Sequence, residues 1–305
     1  MTKSRKNYQS PQQSRSNVPR NHLILDATKP FLFEYVKFGS KVRLLIHQTP
    51  NDETWPGGAL WDLGVILAKL LVSWTRGTSF NQQLQPALPS SLAAYSGIAW
   101  RDTTVLELGC GVGLTGLVAA SLGAKATLLT DLRVVIDEVT RRNVDENVHA
   151  KAKQSMEYRT TRAGGKVVAM PLFWGKEEDE EAVRLKLQEA VATKQKGTTD
   201  DIFPDWVIIG DVAYQHKPGA PSHFDALLST LSKFVGPNTK VLFGTRMRMP
   251  ASNDLLEMFR NRLEETACVP AHELEPSLTE IGRKHNMTIH ILQQRGDERT
   301  PKAES

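Results

Sequence analysis

The chain has 305 residues, 40% hydrophobic and 24% charged, enough to bury one large core or two small ones. Two cysteines, Cys110 and Cys268, exclude a disulfide scaffold and a cysteine-rich zinc site, and the longest apolar run, Val65 to Val72, is broken by Lys69 and does not read as a membrane span. A formal charge of +4 keeps nucleic acid open as a partner until the charge is located.

Residues 1–20 contain Lys3, Arg5, Lys6, Arg15 and Arg20 and no acid, so they carry +5 and the remainder −1. Rich in Ser, Gln and Asn, they read as a disordered basic tail. They lack the apolar run of a secretory signal and the apolar helical face of a transit peptide. The rest, 21–305, is expected to form one domain.

Phe31, Phe33 and Tyr35 alternate, as do Val42, Leu44 and Ile46, predicting a β-hairpin over 31–48 turned at Gly39-Ser40. A Pro56-Gly57-Gly58 break precedes Leu63, Leu67, Leu70, Leu71 and Trp74 at helical spacing. The polar stretch 75–101, with Pro86 and Pro89, reads as an inserted loop. Strands and helices then alternate: strand Val105 to Leu108, helix Leu114 to Leu122 closed by Gly123, strand Ala126 to Thr130, helix Val134 to Val148, strand Lys166 to Trp174. The charged segment 176–200 reads as an exposed helical insertion. Strand Trp206 to Ile209, a helix from Phe224, strand Val241 to Gly244, helix Asn253 to Thr266 and strand Thr288 to Leu292 complete the chain. Such alternation implies an α/β fold with a doubly wound, mostly parallel sheet.

Between the first main strand and its helix lies Leu106-Glu107-Leu108-Gly109-Cys110-Gly111-Val112-Gly113. Glycines there let a ligand approach the backbone, and the free helix amides point to the same spot. Asp131 ends the second strand 22 residues after Gly109, where a carboxylate can accept both hydroxyls of a ribose. Gly111 to Gly116 also reads GxGxxG, but that match begins two residues late for a dinucleotide site, and Glu107 is a polar residue within the strand.

The turn followed by Thr130-Asp131 resembles motif I and the acidic motif of seven-strand S-adenosylmethionine-dependent methyltransferases. Gly58-Ala59-Leu60-Trp61-Asp62, Leu172-Phe173-Trp174-Gly175 and Asp211-Val212-Ala213-Tyr214 then resemble one branch, the protein-lysine methyltransferases with a DxxY motif. The resemblance implies a Rossmann-like seven-strand sheet behind an N-terminal hairpin extension, and S-adenosylmethionine as cofactor. It places Trp61, Glu107, Gly109, Cys110, Gly111, Asp131, Trp174 and Gly210 at the cofactor and Asp211 and Tyr214 at the substrate amine. It also implies a protein substrate bearing a lysine, such as a translation elongation factor (elongation factor 1-alpha by analogy), and a cytoplasmic, monomeric enzyme without metal, membrane or nucleic-acid partner.

Other readings of the same residues stay open. Trp61 and Trp174 could be core aromatics, Asp211 a turn cap and Cys110 small filler. The histidines show no HxxxH spacing, and Arg246 and Arg248 read as solvated surface. Enzymes that methylate adenine amines carry two prolines after the Asn/Asp, where this chain has Val212 and Ala213, which favours an aliphatic amine. A small-molecule or nucleic-acid acceptor, or a non-catalytic module of the same fold, are the alternatives.

Overall fold

The structure, a computed structural model, describes residues 26–49, 56–75, 78–79, 89–149, 165–191, 202–213, 223–246, 251–274 and 286–295. The basic tail, Tyr214 and Arg248 lie outside them. β1 (Phe31–Lys37) and β2 (Ser40–Ile46) form the expected hairpin. Lys37 pairs with Ser40, so the turn is Phe38-Gly39, one residue earlier than the sequence suggests. Both turn residues have positive φ, 48° and 76°, the backbone whose twist matches that of the flanking strands.

After α1 (Asp62–Trp74), the short β3 (Thr78–Ser79) pairs antiparallel with β1, making a three-stranded sheet in the order β2-β1-β3. The expected inserted loop thus supplies a strand, and its later part packs inward. Leu92 and Trp100 are buried, and the Trp100 Nε1–H donates to Thr75 Oγ1 at 2.7 Å. Tyr95 lies 5.8 Å from Trp74 and 6.0 Å from Trp206, an aromatic cluster that closes the lower end of the main sheet.

That sheet is built from β4 (Thr104–Leu108), α2 (Leu114–Leu122), β5 (Ala126–Asp131), α3 (Arg133–Val135), α4 (Arg141–Val144), β6 (Lys166–Pro171), α5 (Glu177–Val191), β7 (Trp206–Gly210), α6 (Phe224–Ser232), β8 (Lys240–Arg246), α7 (Ala251–Arg260), β9 (Leu263–Pro270) and β10 (Met287–Gln294). Its order is β6-β5-β4-β7-β8-β10-β9, with only β10 antiparallel to its neighbours. The strand sequence therefore reverses beside β4, and the crevice at that switch point lies outside the carboxyl ends of β4 and β7. One core cluster joins the sheet to α1, α2 and the hairpin; a second, on the opposite face, joins it to α5, α6 and α7.

Two elements differ from the sequence reading. The expected helix Asn253 to Thr266 ends at Arg260, and β9 begins at Leu263. Leu255, Leu256, Phe259 and Leu263 keep helical spacing across the boundary and hide the strand. The charged segment is not an exposed insertion either: α5 is the crossover helix between β6 and β7. Val183, Leu187 and Ala190 are in the core, and buried Glu180 accepts from Thr230 Oγ1 at 2.6 Å and Lys233 Nζ at 2.5 Å. Its polar composition hid a narrow apolar stripe.

The hairpin is fastened by hydrogen bonds to the helices that cover one face of the main sheet. Tyr35 Oη and Ser121 Oγ are 2.8 Å apart, and Lys37 Nζ donates to the carbonyls of Ser121 and Leu122, where α2 ends with carbonyls free. The outer edge of β2 is satisfied by two asparagines. Asn143 accepts from the His47 amide at 2.7 Å and donates to its carbonyl at 3.0 Å; Asn147 does the same for Leu45, at 2.9 and 2.8 Å. Asn147→Ala should therefore strand both polar groups of Leu45. The expected result is a loss of about 1–3 kcal/mol in denaturant unfolding and faster amide exchange in β2.

Candidate active site

The turn between β4 and α2 is shaped by glycines in left-handed backbone: Gly109 (φ 72°), Gly111 (52°) and Gly113 (82°). Its groups are closely accounted for. The amides of Gly109 and Cys110 donate to the Thr130 carbonyl at 2.9 and 3.0 Å, the Gly111 amide to Asp131 Oδ2 at 2.8 Å. Thr140 Oγ1, in a π-helical stretch between α3 and α4, donates to the Gly111 carbonyl at 2.7 Å, and Asn143 Nδ2 to that of Val112 at 2.9 Å. A Cβ on Gly111 would stand 3.2 Å from the Gly57 carbonyl, so the segment before α1 closes over the turn.

Glu107 and Asp131 divide the electrostatic work. Glu107 is 4% exposed, and its Oε2 accepts from the Gly116 amide at 2.9 Å, capping the first turn of α2 from the adjoining strand. A Cβ on Gly116 would lie 2.1 Å from Leu129 Cδ2 and 2.7 Å from that carboxylate, so this approach requires glycine. Burial pushes the Glu107 carboxyl up to about 8, with Asp131's charge adding, against the bonds from Gly116 and Thr115. Asp131, half-buried at the crevice, is pushed by burial to about 6 although the Gly111 and Leu132 amides donate to it. Glu107 is thus turned to the scaffold, while Asp131 sits at the rim with each oxygen fixed by an amide.

Exposed apolar side chains follow Asp131 and β6, with the charged Arg133 among them. Leu132, Val134 and Phe173 are 36%, 38% and 60% exposed, and Leu172 donates its amide to the Asp131 carbonyl at 2.8 Å. Trp61 and Trp174 are half-buried, not core. Trp61 Nε1–H donates to the Pro56 carbonyl at 3.0 Å. Trp174 lies against Gly109, where a Cβ would stand 3.3 Å from its ring and 3.0 Å from Val212. A residue that spacing did not reveal joins them: the His223 ring lies 5.5 Å from that of Trp174, and its Nε2 is 3.3 Å from the Val212 carbonyl. Cys110 is buried, and burial raises its thiol well above the ordinary range, which fits filler rather than nucleophile.

Gly210 and Gly244 pair across β7 and β8, and a Cβ on either would press on Leu67 of α1 at 3.1–3.2 Å. Beyond Gly210, Asp211 has φ 53°, a backbone that Asp tolerates better than most side chains, and its amide donates to the Gly244 carbonyl at 2.9 Å. Tyr214 lies outside the described residues, so its expected place beside Asp211 rests on the sequence. Arg246, read from sequence as solvated surface, is 4% exposed. Its Nη2 donates to Asp62 Oδ2 at 3.0 Å, tying the end of β8 to the first turn of α1 beside Trp61.

The glycine turn, the Asp131 carboxylate and flanking apolar and aromatic surface meet at one end of the sheet. Such a donor and acceptor set fits a nucleoside-bearing cofactor: Asp131 for the ribose hydroxyls, Leu132 and Phe173 for a flat base, and the bare backbone of 109–111 for the remainder.

Comparison with known proteins agrees. A family profile described as lysine methyltransferase matches residues 40–262. The chain is 29% identical over 164 residues to the protein N-lysine methyltransferase METTL21A of Xenopus tropicalis, covering 54% of this chain and 59% of that protein. It is 26% identical to the EEF1A lysine methyltransferase 3 of Mus musculus (50% and 48%) and 26% identical to the histidine protein methyltransferase 1 homolog of Rattus norvegicus (56% and 45%). The chain spans about half the length of the curated relatives it matches.

Folding raises the Glu107 carboxyl from 4.5 to about 8, so in that range the folded chain holds a proton that the unfolded chain releases, and stability falls as pH rises. Glu107→Gln keeps an acceptor for the Gly116 amide and removes the titration. Between about pH 7 and about pH 8.5, where Asp131 is already largely ionised, denaturant unfolding should show wild type losing more stability than Glu107→Gln.

Proposed function

The chain belongs to the lysine methyltransferase family, and from that premise we propose that it transfers a methyl group from S-adenosylmethionine to the ε-amine of a lysine in a protein. The observation that carries the reading is the single crevice that gathers the glycine turn, Asp131, Trp174 and, one strand away, Asp211 in its left-handed turn. Bound S-adenosylmethionine would supply an electrophilic methyl. Asp131 would hold its ribose, residues 109–111 would receive it against bare backbone, and Trp61 and Trp174 would offer π faces that attract a sulfonium.

Asp211 is a positioning group in this reading. A lysine side chain has a pKa near 10.4, so roughly one in 2,500 is neutral at pH 7, and a neighbouring carboxylate lowers that fraction. Asp211 and Tyr214 would therefore align the amine, and desolvation together with repulsion by the sulfonium would drive proton loss. Val212 and Ala213 in place of paired prolines favour an aliphatic amine over a planar nucleobase amine. The near-neutral charge outside the first 20 residues gives nucleic acid no footprint. The protein substrate is a translation elongation factor by analogy with the relative named for EEF1A, and the cytoplasm is the compartment that such a substrate implies.

Labelled S-adenosylmethionine incubated with a host lysate should mark one protein band, with the label on a lysine by mass spectrometry. Label on histidine, on nucleic acid or on small molecules would overturn the lysine reading. Asp211→Ala and Tyr214→Phe should lower transfer, the former about 100-fold, at near-normal cofactor affinity. Methylation by Asp211→Ala at the wild-type rate would sink the assignment.

Asp131 should behave differently. Its carboxylate accepts both ribose hydroxyls only when ionised, so calorimetric affinity for S-adenosylmethionine should fall as pH drops through about 6. Asp131→Asn should bind weakly, with that pH dependence gone.

A further inference from the structure

β9 and β10 lie at the edge of the main sheet, with β10, β8 and β7 between β9 and the glycine turn of β4. Cys268 and His290 face each other across the ladder, so their side chains leave the same face. Glu265 precedes Cys268 by three residues, an odd spacing that a regular strand would send to the opposite face. The register, however, shifts between Ile291 and Leu292. Ala267 pairs with Ile291 and Glu265 with Leu292, leaving Thr266 as the extra residue of a bulge, which returns Glu265 to the side of His290. A Glu265 carboxylate oxygen, Cys268 Sγ and an imidazole nitrogen of His290 consequently lie within 4.8 Å of one another.

We propose that Glu265, Cys268 and His290 form a site for a divalent transition-metal ion of the zinc class. One carboxylate, one thiolate and one imidazole suit such an ion, and a water would complete a tetrahedron on the solvent side, where Cys268 is exposed. The surroundings hold the ligands in place. His290 Nδ1 meets Glu265 Oε1, while its Nε2 is 2.8 Å from the Thr288 hydroxyl, a partner that fixes the ring as outer-shell groups do at metal sites. Arg260 donates through Nε (3.1 Å) and Nη2 (2.7 Å) to Oε2 of Glu265, leaving Oε1 on the imidazole side. The Phe243 ring stacks on His290 at 5.9 Å.

Burial holds His290 below its usual range, against the pull of Glu265. Burial and the charge of Glu265 raise the Cys268 thiol, and metal binding would release its proton. An ion would take the place of the proton between His290 Nδ1 and Glu265 Oε1, so those two atoms must move apart while the exposed Cys268 side chain turns towards them. The ion would clamp β9 to β10 and take no part in the crevice.

Untagged full-length protein, stripped with a chelator, should take up one Zn²⁺ or Co²⁺ per chain. The cobalt form should show a thiolate charge-transfer band in the near ultraviolet, and zinc should raise the melting temperature. Cys268→Ser should abolish the band and weaken zinc binding at least about tenfold with the circular dichroism unchanged, and Glu265→Gln should weaken it similarly. Absence of stoichiometric uptake by wild type, or binding by Cys268→Ser as tight as wild type, overturns the proposal.

Discussion

A chain that leaves a strand and enters a helix within five residues, with its backbone open to a ligand, has almost no freedom in how that turn is built. Residues 109, 111 and 113 all sit at positive φ, where a Cβ would be strained in each case. Once the side chains are gone, the turn must be held by its own amides and carbonyls, and the neighbouring elements are arranged to receive them. β5 offers the Thr130 carbonyl and Asp131, and the helical stretch after β5 offers Thr140 and Asn143. Asn143 also holds His47, the residue that follows β2. The N-terminal hairpin is thereby coupled to the turn through one side chain, and its packing onto α2 by Tyr35 and Lys37 stiffens the same region from below.

The two buried acids show how similar groups acquire different uses from position alone. Glu107, one residue before the end of β4, and Asp131, the last residue of β5, lie on adjacent strands and both feel desolvation. Glu107 points under the turn to the Gly116 amide, while Asp131 points to the rim and keeps partial contact with water. The first is a fixture of the helix start, held at a distance that Gly116 alone permits. The second keeps lone pairs for a ligand. Motif spacing marks both residues but does not separate these uses, since the separation depends on which way each carboxylate leaves its strand.

What spacing and composition revealed was the part of the chain where one period dominates. The glycine turn, the acid that ends β5, the sheet class and the hairpin are visible because each rests on local rules: alternation, helix spacing, glycine punctuation. β9 was hidden because Leu263 extends the spacing of α7 into a strand whose identity depends on pairing with β10. The role of α5 was masked by its charge, since a helix covering a sheet edge needs only Val183, Leu187 and Ala190 on its inner face. Arg246 was misjudged for a related reason: nothing near it in sequence announces Asp62, 184 residues away. His223 and the Glu265–Cys268–His290 grouping are products of tertiary contact and of one bulge, which no linear pattern encodes.

The backbone at Asp211 bears on the substrate question in a way the missing prolines alone do not. A proline at position 212 would drive residue 211 towards extended backbone near φ −120° and away from helical conformations of either hand. Asp211 instead stands at φ 53°, with its amide bonded to Gly244 on the next strand and Val212 packed over Gly109. A turn with paired prolines could not keep this shape. The difference between the two motifs is therefore one of backbone geometry as well as composition, and it extends to how the carboxylate is presented. A rigid proline turn offers fixed carbonyls to a planar amine, whereas here Val212 and Ala213 are buried anchors and the carboxylate follows a strained left-handed residue. Strain of that kind persists only where the surroundings overdetermine it. Gly244 on one side and Gly109 on the other tie Asp211 to the glycine turn, so that the separation of the two is set by the sheet itself.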